Sequence, residues 1–135
     1  MKELKIIGRL EHVDFPELGI NGFNAKIDTG AYTSSLHCSE ILVERDKVKF
    51  IVLDDEHPSF EGKWFCLPIE KYTVVKSSNG YKEERVVVKT TILLLGEEFD
   101  VFLTLTNRKD MKYPVLLGRK FLKDKYIVNV SLKHQ

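Results

Sequence analysis

The stretch Asn24–His37, NAKIDTGAYTSSLH, runs an alternating segment into an acidic corner. Together with the preceding residue it sets Phe23, Ala25 and Ile27 on one face and Asn24, Lys26 and Asp28 on the other, the period of a strand. Asp-Thr-Gly at the strand's end supplies three things. The aspartate brings a carboxylate, the threonine a hydroxyl that can lock the loop, and the glycine a bare backbone whose N–H can approach the carboxylate closely. Two readings of Asp28 stand open: a turn residue, or half of an acid–base pair completed elsewhere. Two carboxylates a hydrogen bond apart cannot both ionise, so they share one proton. The charged member then draws a proton from water while the neutral member donates to a carbonyl oxygen. That chemistry hydrolyses an amide without a metal or a covalent intermediate.

Outward from this corner the chain reads as strands separated by turns. LKIIGRLEHV (residues 4–13) is rich in branched residues and precedes the turn DFPELG. KVKFIVLDD (47–55) and the short KWFCLPI (63–69) flank the polar turn DEHPSFEGK. In KYTVVKSSNGYKEERVVVKTTILLLG (71–96), Ser78-Asn79-Gly80 sits between two β-prone runs, and Asn-Gly is a strong hairpin signal. EEFDVFLTLTNR (97–108) is another strand, and KYIVNVSL (125–132) closes the chain as a last one. Helical character is confined to a short helix after Gly118 in YPVLLGRKFLKD. Regular strands with turn punctuation predict an all-β barrel or sandwich-like fold, with residues 1–135 as one domain.

Composition narrows the class. Hydrophobic residues make up 43% and charged residues 30%, a globular rather than a disordered balance. The formal net charge of +1, with basic residues spread along the chain, gives no bulk argument for nucleic acid or an acidic membrane as partner. The N-terminal stretch lacks the apolar run of a signal peptide, and no segment approaches a membrane span. A cytoplasmic location follows as the expectation, and there Cys38 and Cys66 are expected as free thiols, a disulfide being the alternative.

Three segments in order carry a resemblance: ELGINGFNAKIDTGAYTSSLH (17–37), VVKSSNGYKEERVVV (74–88) and LTLTNRKDMKYPVLLGRKFL (103–122). They resemble the retropepsin-like aspartic peptidases, in the bacterial family labelled ATP-dependent zinc proteases. Its members are similar to retropepsin-type enzymes that trim glutamate tails added to a ribosomal protein by an ATP-grasp ligase. The match runs from about Ile7 to Val130. It implies a closed acid-protease barrel with a flap hairpin and one short C-terminal helix. It also implies Asp28 as the catalytic carboxylate, Thr29 as a brace of the loop across a dimer, and Gly30 as the residue that gives the loop room. Ala31, Leu117, Gly118 and Arg119 would support the loop from beneath. With no second Asp-Thr-Gly or Asp-Ser-Gly in the sequence, a symmetric homodimer must supply Asp28 twice. The substrate would lie extended between flap and loop, bound partly as an added strand.

Substrate preference turns on cations. Lys76, Lys82 and Arg85 lie in the hairpin, and Arg85 can hold a carboxylate by two parallel hydrogen bonds or pair with Glu83 instead. Lys26, on the face of Asp28, adds positive potential or is simply solvated. Ser77 and Ser78 either bond substrate backbone or only make the turn, and Arg108 is a further basic candidate that can equally pair with Asp110. Tyr32 departs from the pattern. Relatives in the glutamate-trimming family carry Arg or Lys there, and retroviral enzymes an Asp. Arg119 thereby loses an acidic partner and needs another, Asp124 or a backbone carbonyl.

The labels of zinc and ATP have little counterpart in this sequence, which holds neither H-E-x-x-H nor G-x-x-x-x-G-K-[ST]. No cofactor and no metal are expected. Two rival functions remain: a catalytically silent peptide- or tail-binding module of the same fold, and a zinc hydrolase built on His37 with Cys38 and Cys66.

Overall fold

The computed structural model of the chain describes residues 3–76, 80–107 and 112–134. The first predicted strand is two strands, β1 (Lys5–Ile7) and β2 (Leu10–Phe15). They part at Gly8, where a Cβ would stand 2.5 Å from the Leu132 carbonyl oxygen, so the chain passes there only without a side chain. The Glu11 carboxylate, buried in the core, accepts the Gly8 N–H at 2.8 Å and fixes the break. A 3-10 turn at Pro16–Leu18 follows, then β3 (Ile20–Ile27), whose alternation brings Phe23, Ala25 and Ile27 into the core.

The next strand, β4 (Ser34–Glu44), has no clear period in the sequence. Its first five residues are all buried, polar and apolar alike, because strands cover it on both edges and side chains pack on both faces. Then come β5 (Lys47–Val52), β6 (Trp64–Pro68), β7 (Lys71–Lys76), β8 (Lys82–Leu94), β9 (Glu97–Thr106), β10 (Val115–Leu117), the one-turn helix α1 (Arg119–Leu122) and β11 (Tyr126–Val128). The last predicted strand is therefore three residues long, running parallel to β1 in a separate two-stranded sheet.

Six strands, β10, β3, β2, β8, β9 and β4, follow one another edge to edge, and pairing of β10 with β4 closes them into a barrel. Val115 and Leu116 face Leu36 and Ser35 at this seam. Closure leaves none of these six strands as a free edge along the seam. The barrel is filled by Val13, Phe15, Leu36, Ile92, Leu94, Leu103 and their neighbours, all essentially inaccessible to solvent. Outside it, β5 and β6 extend the sheet from β4, and Phe50 stacks with Phe65 at 5.7 Å between ring centroids.

The predicted hairpin stands out from this barrel. β7 pairs with the first half of β8 from Lys71↔Val87 to Lys76↔Lys82, and β9 pairs with the second half. The first three residues of β8 are exposed, and the strand becomes buried at Arg85. Ser77, Ser78 and Asn79, where the sequence predicts the turn, lie outside the described residues, as do Arg108 and Asp110. Among the described residues no helix is long and apolar enough to cross a membrane.

Candidate active site

β3 ends at Ile27, and the next six residues form a loop held by β10 and α1. The Asp28 N–H donates to the Leu117 carbonyl at 2.9 Å, and the Ala31 N–H to the Asp28 carbonyl at 3.2 Å. From the other side, the Arg119 and Lys120 N–H groups donate to the carbonyls of Ala31 and Tyr32 at 2.8 and 3.0 Å. The Gly118 N–H donates to Ser34 Oγ at 3.1 Å. The loop thus has a fixed floor, made by the Leu-Leu-Gly-Arg segment that the sequence places beneath it.

On this floor the Asp28 carboxylate is half-buried, and its Oδ1 accepts the Gly30 N–H at 2.9 Å. Asp28 lies in the wall of a cleft of about 710 Å³, together with Gly30, Ala31, Tyr32, the inner side of the β7–β8 hairpin and the start of α1. Thr29 is exposed and does not line the cleft, but its carbonyl accepts a hydrogen bond from Arg119 Nη1 at 3.0 Å. Of the two partners considered for Arg119, the backbone carbonyl is the one the fold supplies. Its guanidinium also stands 5.8 Å from the centre of the Tyr32 ring, an aromatic contact where the retroviral pattern has an acid.

Charge in the cleft is one-sided. Among the described residues its wall holds six basic side chains, Lys71, Lys76, Arg85, Arg119, Lys120 and Lys125, against the acids Asp28 and Asp100. Lys89 lies 3.8 Å from Asp100. Lys76 and Arg85 are legible in the sequence as candidates, whereas nothing in the local pattern marks Lys71, Lys120 and Lys125. They come from β7 and from the α1 region with the residues just after it, two segments far apart in the chain that line the same cleft. Lys26 is exposed and does not line the cleft: the alternation that sets it on Asp28's face ends at Ile27. Ser78 and Arg108 fall outside the described residues.

Arg85 is buried, only 7% exposed, yet lines the cleft. Its Nη1 donates to Ser35 Oγ at 3.3 Å and Thr104 Oγ1 at 3.4 Å, and those hydroxyls lie 2.8 Å apart. Its Nη2 donates to Glu83 Oε2 at 3.3 Å. The pairing with Glu83 and a place in the cleft, alternatives in the sequence, coexist.

The donors weighed for zinc are dispersed. His37 is buried, and its Nε2 lies 2.9 Å from Asp54 Oδ2. Cys38 is buried, its thiol pKa pushed far up by desolvation, while Cys66 is a free thiol on β6. Among the described residues, no three His, Cys, Asp or Glu side chains converge as a metal-holding set. The His37 hydrogen bond, with a smaller contribution from the Glu56 N–H, holds the Asp54 carboxyl below its ordinary pKa. A depressed carboxyl contributes stability that is present above its unfolded-state pKa and lost as pH falls through the folded-state value. Urea midpoints of wild type and Asp54→Asn should therefore differ at neutral pH and converge on acidification below about pH 4. A constant difference across that range would assign the pair no such role.

Comparison with known proteins adds the lineage. A family model described as RimB-like, retropepsin-like aspartic endopeptidase RimB, matches residues 6–135. The chain is 38% identical over 130 residues to a Shewanella pealeana protein named "Probable alpha-L-glutamate ligase", covering 93% of this chain and 28% of that protein. A Desulfotalea psychrophila protein of the same name is 35% identical over 134 residues, with 96% and 29% covered. The chain thus spans less than a third of these curated relatives' length. The crystal structure of a Legionella pneumophila protein of unknown function superposes with a TM-score of 0.76 at 27% identity, over 98% of each chain.

Proposed function

The chain belongs to the RimB-like family of retropepsin-like aspartic endopeptidases, and from that premise we propose that it hydrolyses peptide bonds in acidic protein tails. The observation that carries this reading is Asp28, tethered in the wall of a cleft with six basic and two acidic side chains among its described residues. An extended chain laid in this cleft meets the β7–β8 hairpin on one side and the Asp-Thr-Gly loop on the other. The cations neutralise acidic side chains along it, and Asp28 faces the backbone to be cut. Names of the curated relatives agree with that class, since they associate this segment with a protein that joins glutamate.

Catalysis needs two carboxylates, and each chain brings one. A second copy, related by two-fold symmetry, sets its Asp28 beside the first. One carboxylate, ionised, takes a proton from the attacking water. The other, protonated, donates to the carbonyl oxygen of the scissile amide, so charge does not build up on either side of the tetrahedral intermediate. The proton on the first carboxylate then goes to the leaving nitrogen. Ile6 and Ile127, paired between β1 and β11, are both more than half exposed, and in this reading they pack against the second copy.

The test is a peptide carrying an oligo-glutamate tail, incubated with the protein and weighed by mass spectrometry. Stepwise or internal loss of glutamate is expected, with the oligo-glutamine counterpart cut far more slowly. Absence of cleavage across a broad panel that includes oligo-glutamate would leave the second reading, a silent tail-binding module, which the same basic cleft favours.

A further inference from the structure

A buried guanidinium needs a carboxylate or a full set of hydrogen bonds, because an uncompensated buried charge destabilises strongly. Arg85 has neither in full. Its Nη1 shares two hydroxyls at long distances, and Nη2 meets a single oxygen of Glu83. Among the described residues Nε, fully buried, has no hydrogen-bond partner. Nε–H and one Nη2–H project in parallel from the same edge of a guanidinium, the edge that takes a carboxylate side-on with two hydrogen bonds. In the free protein that edge is half used.

Glu83 reaches Arg85 because residues two apart share a face of β8. It lies opposite Val75, and Arg85 opposite Thr73, both cleft-lining residues of the hairpin. Its side chain is 46% exposed, against 6% for that of Arg85. The arginine is therefore fixed by its surroundings, and the glutamate is the member able to leave.

We propose that Glu83 is a resident stand-in for a substrate carboxylate, occupying Arg85 until an acidic residue of the bound chain displaces it. The inference rests on the acidic-tail reading for the identity of the ligand. An incoming carboxylate takes both Nε and Nη2, and Glu83 swings to solvent. The exchange keeps the buried charge compensated when the cleft is empty. It also makes acidity at that position a condition of tight docking, since a neutral side chain cannot replace Glu83 without stranding the guanidinium.

Equilibrium binding of penta-glutamate, read by calorimetry on the Asp28→Asn background so that nothing is cut, separates the possibilities. Glu83→Gln should tighten penta-glutamate binding by about two- to fivefold, the worth of a half-exposed ion pair, and leave penta-glutamine binding unchanged. Arg85→Gln should weaken penta-glutamate by about tenfold or more, and in that background Glu83→Gln should bring no gain. If Arg85→Gln does not fold, Arg85→Lys, which keeps charge without the planar fork, should show the same loss of the Glu83→Gln gain. Unchanged or weaker penta-glutamate binding by Glu83→Gln, or equal tightening of penta-glutamine, overturns the proposal. Because the readout is binding, these outcomes are independent of whether the wild-type protein cleaves any peptide.

Discussion

Replacing Asp28 by asparagine is expected to lower peptide hydrolysis by about 10⁴-fold, or to the detection limit, with the fold intact. Losses of this size follow removal of a general acid–base group. The effect is doubled in kind here, because one substitution removes both carboxylates of a symmetric pair. An amide cannot take a proton from water at neutral pH, and its N–H protons are too weakly acidic to be shared with a twin or given to a carbonyl oxygen. The structural cost is small. The amide oxygen can still accept the Gly30 N–H, and the loop's floor is made by backbone groups that the substitution does not touch. Circular dichroism and the thermal midpoint should therefore match wild type. Mixing tests the dimer directly. Equal amounts of wild type and Asp28→Asn, allowed to exchange, should show about a quarter of the activity of the same total amount of wild-type protein, since random pairing leaves that share of intact twofold sites. Retention of half would mean that each chain works alone, and full activity of the variant would remove Asp28 from the chemistry.

The second large effect belongs to Gly118, which never touches substrate. A Cβ there would stand 2.5 Å from the Thr33 carbonyl oxygen and 2.8 Å from the carbonyl carbon and oxygen of Tyr32. All three are backbone atoms, so no side chain can rotate away, and the loop over residues 31–33 must lift. Gly118→Ala should cost about 1–3 kcal/mol, the usual range for forced overpacking. That corresponds to a fall of roughly 4–12 °C in the thermal midpoint. Activity should fall further than stability explains, measured well below the new midpoint. Gly118 sits between Leu117, whose carbonyl holds the Asp28 N–H, and Arg119, whose N–H holds the Ala31 carbonyl. A shift at this joint moves the carboxylate, and about 1 Å of misplacement costs about 10²-fold in rate. A variant that melts and cleaves like wild type would show that the loop does not rest on this glycine.

Much of the architecture was legible because it is written in local pattern. Alternation at Phe23, Ala25 and Ile27 announced β3, the Asn-Gly pair announced the hairpin, and Gly118 preceded a helix where α1 begins. The strand that escaped notice is β4, which links the barrel to its extension. Ser34, Ser35 and His37 break the apolar alternation, yet all three are buried, since their partners arrive from far along the chain. Ser35 meets Thr104, 69 residues away, and Arg85, 50 residues away. Short-range periodicity carries no trace of such pairings.

Sequence alone determined that each chain holds a single Asp-Thr-Gly corner, a Leu-Leu-Gly-Arg segment after it and a hairpin between them, because residue identity and order are properties of the chain. Only the tertiary structure decided which cations share the cleft, that Arg119 rests on Thr29 and Tyr32, and that Arg85 is buried while Lys26 faces solvent. Those outcomes depend on strand register and barrel closure, which set side chains tens of residues apart within bonding distance and assign each to the inside or the outside. Charge is visible in a sequence, but its desolvation is not, and desolvation separates a solvated arginine from one that must be answered by a carboxylate.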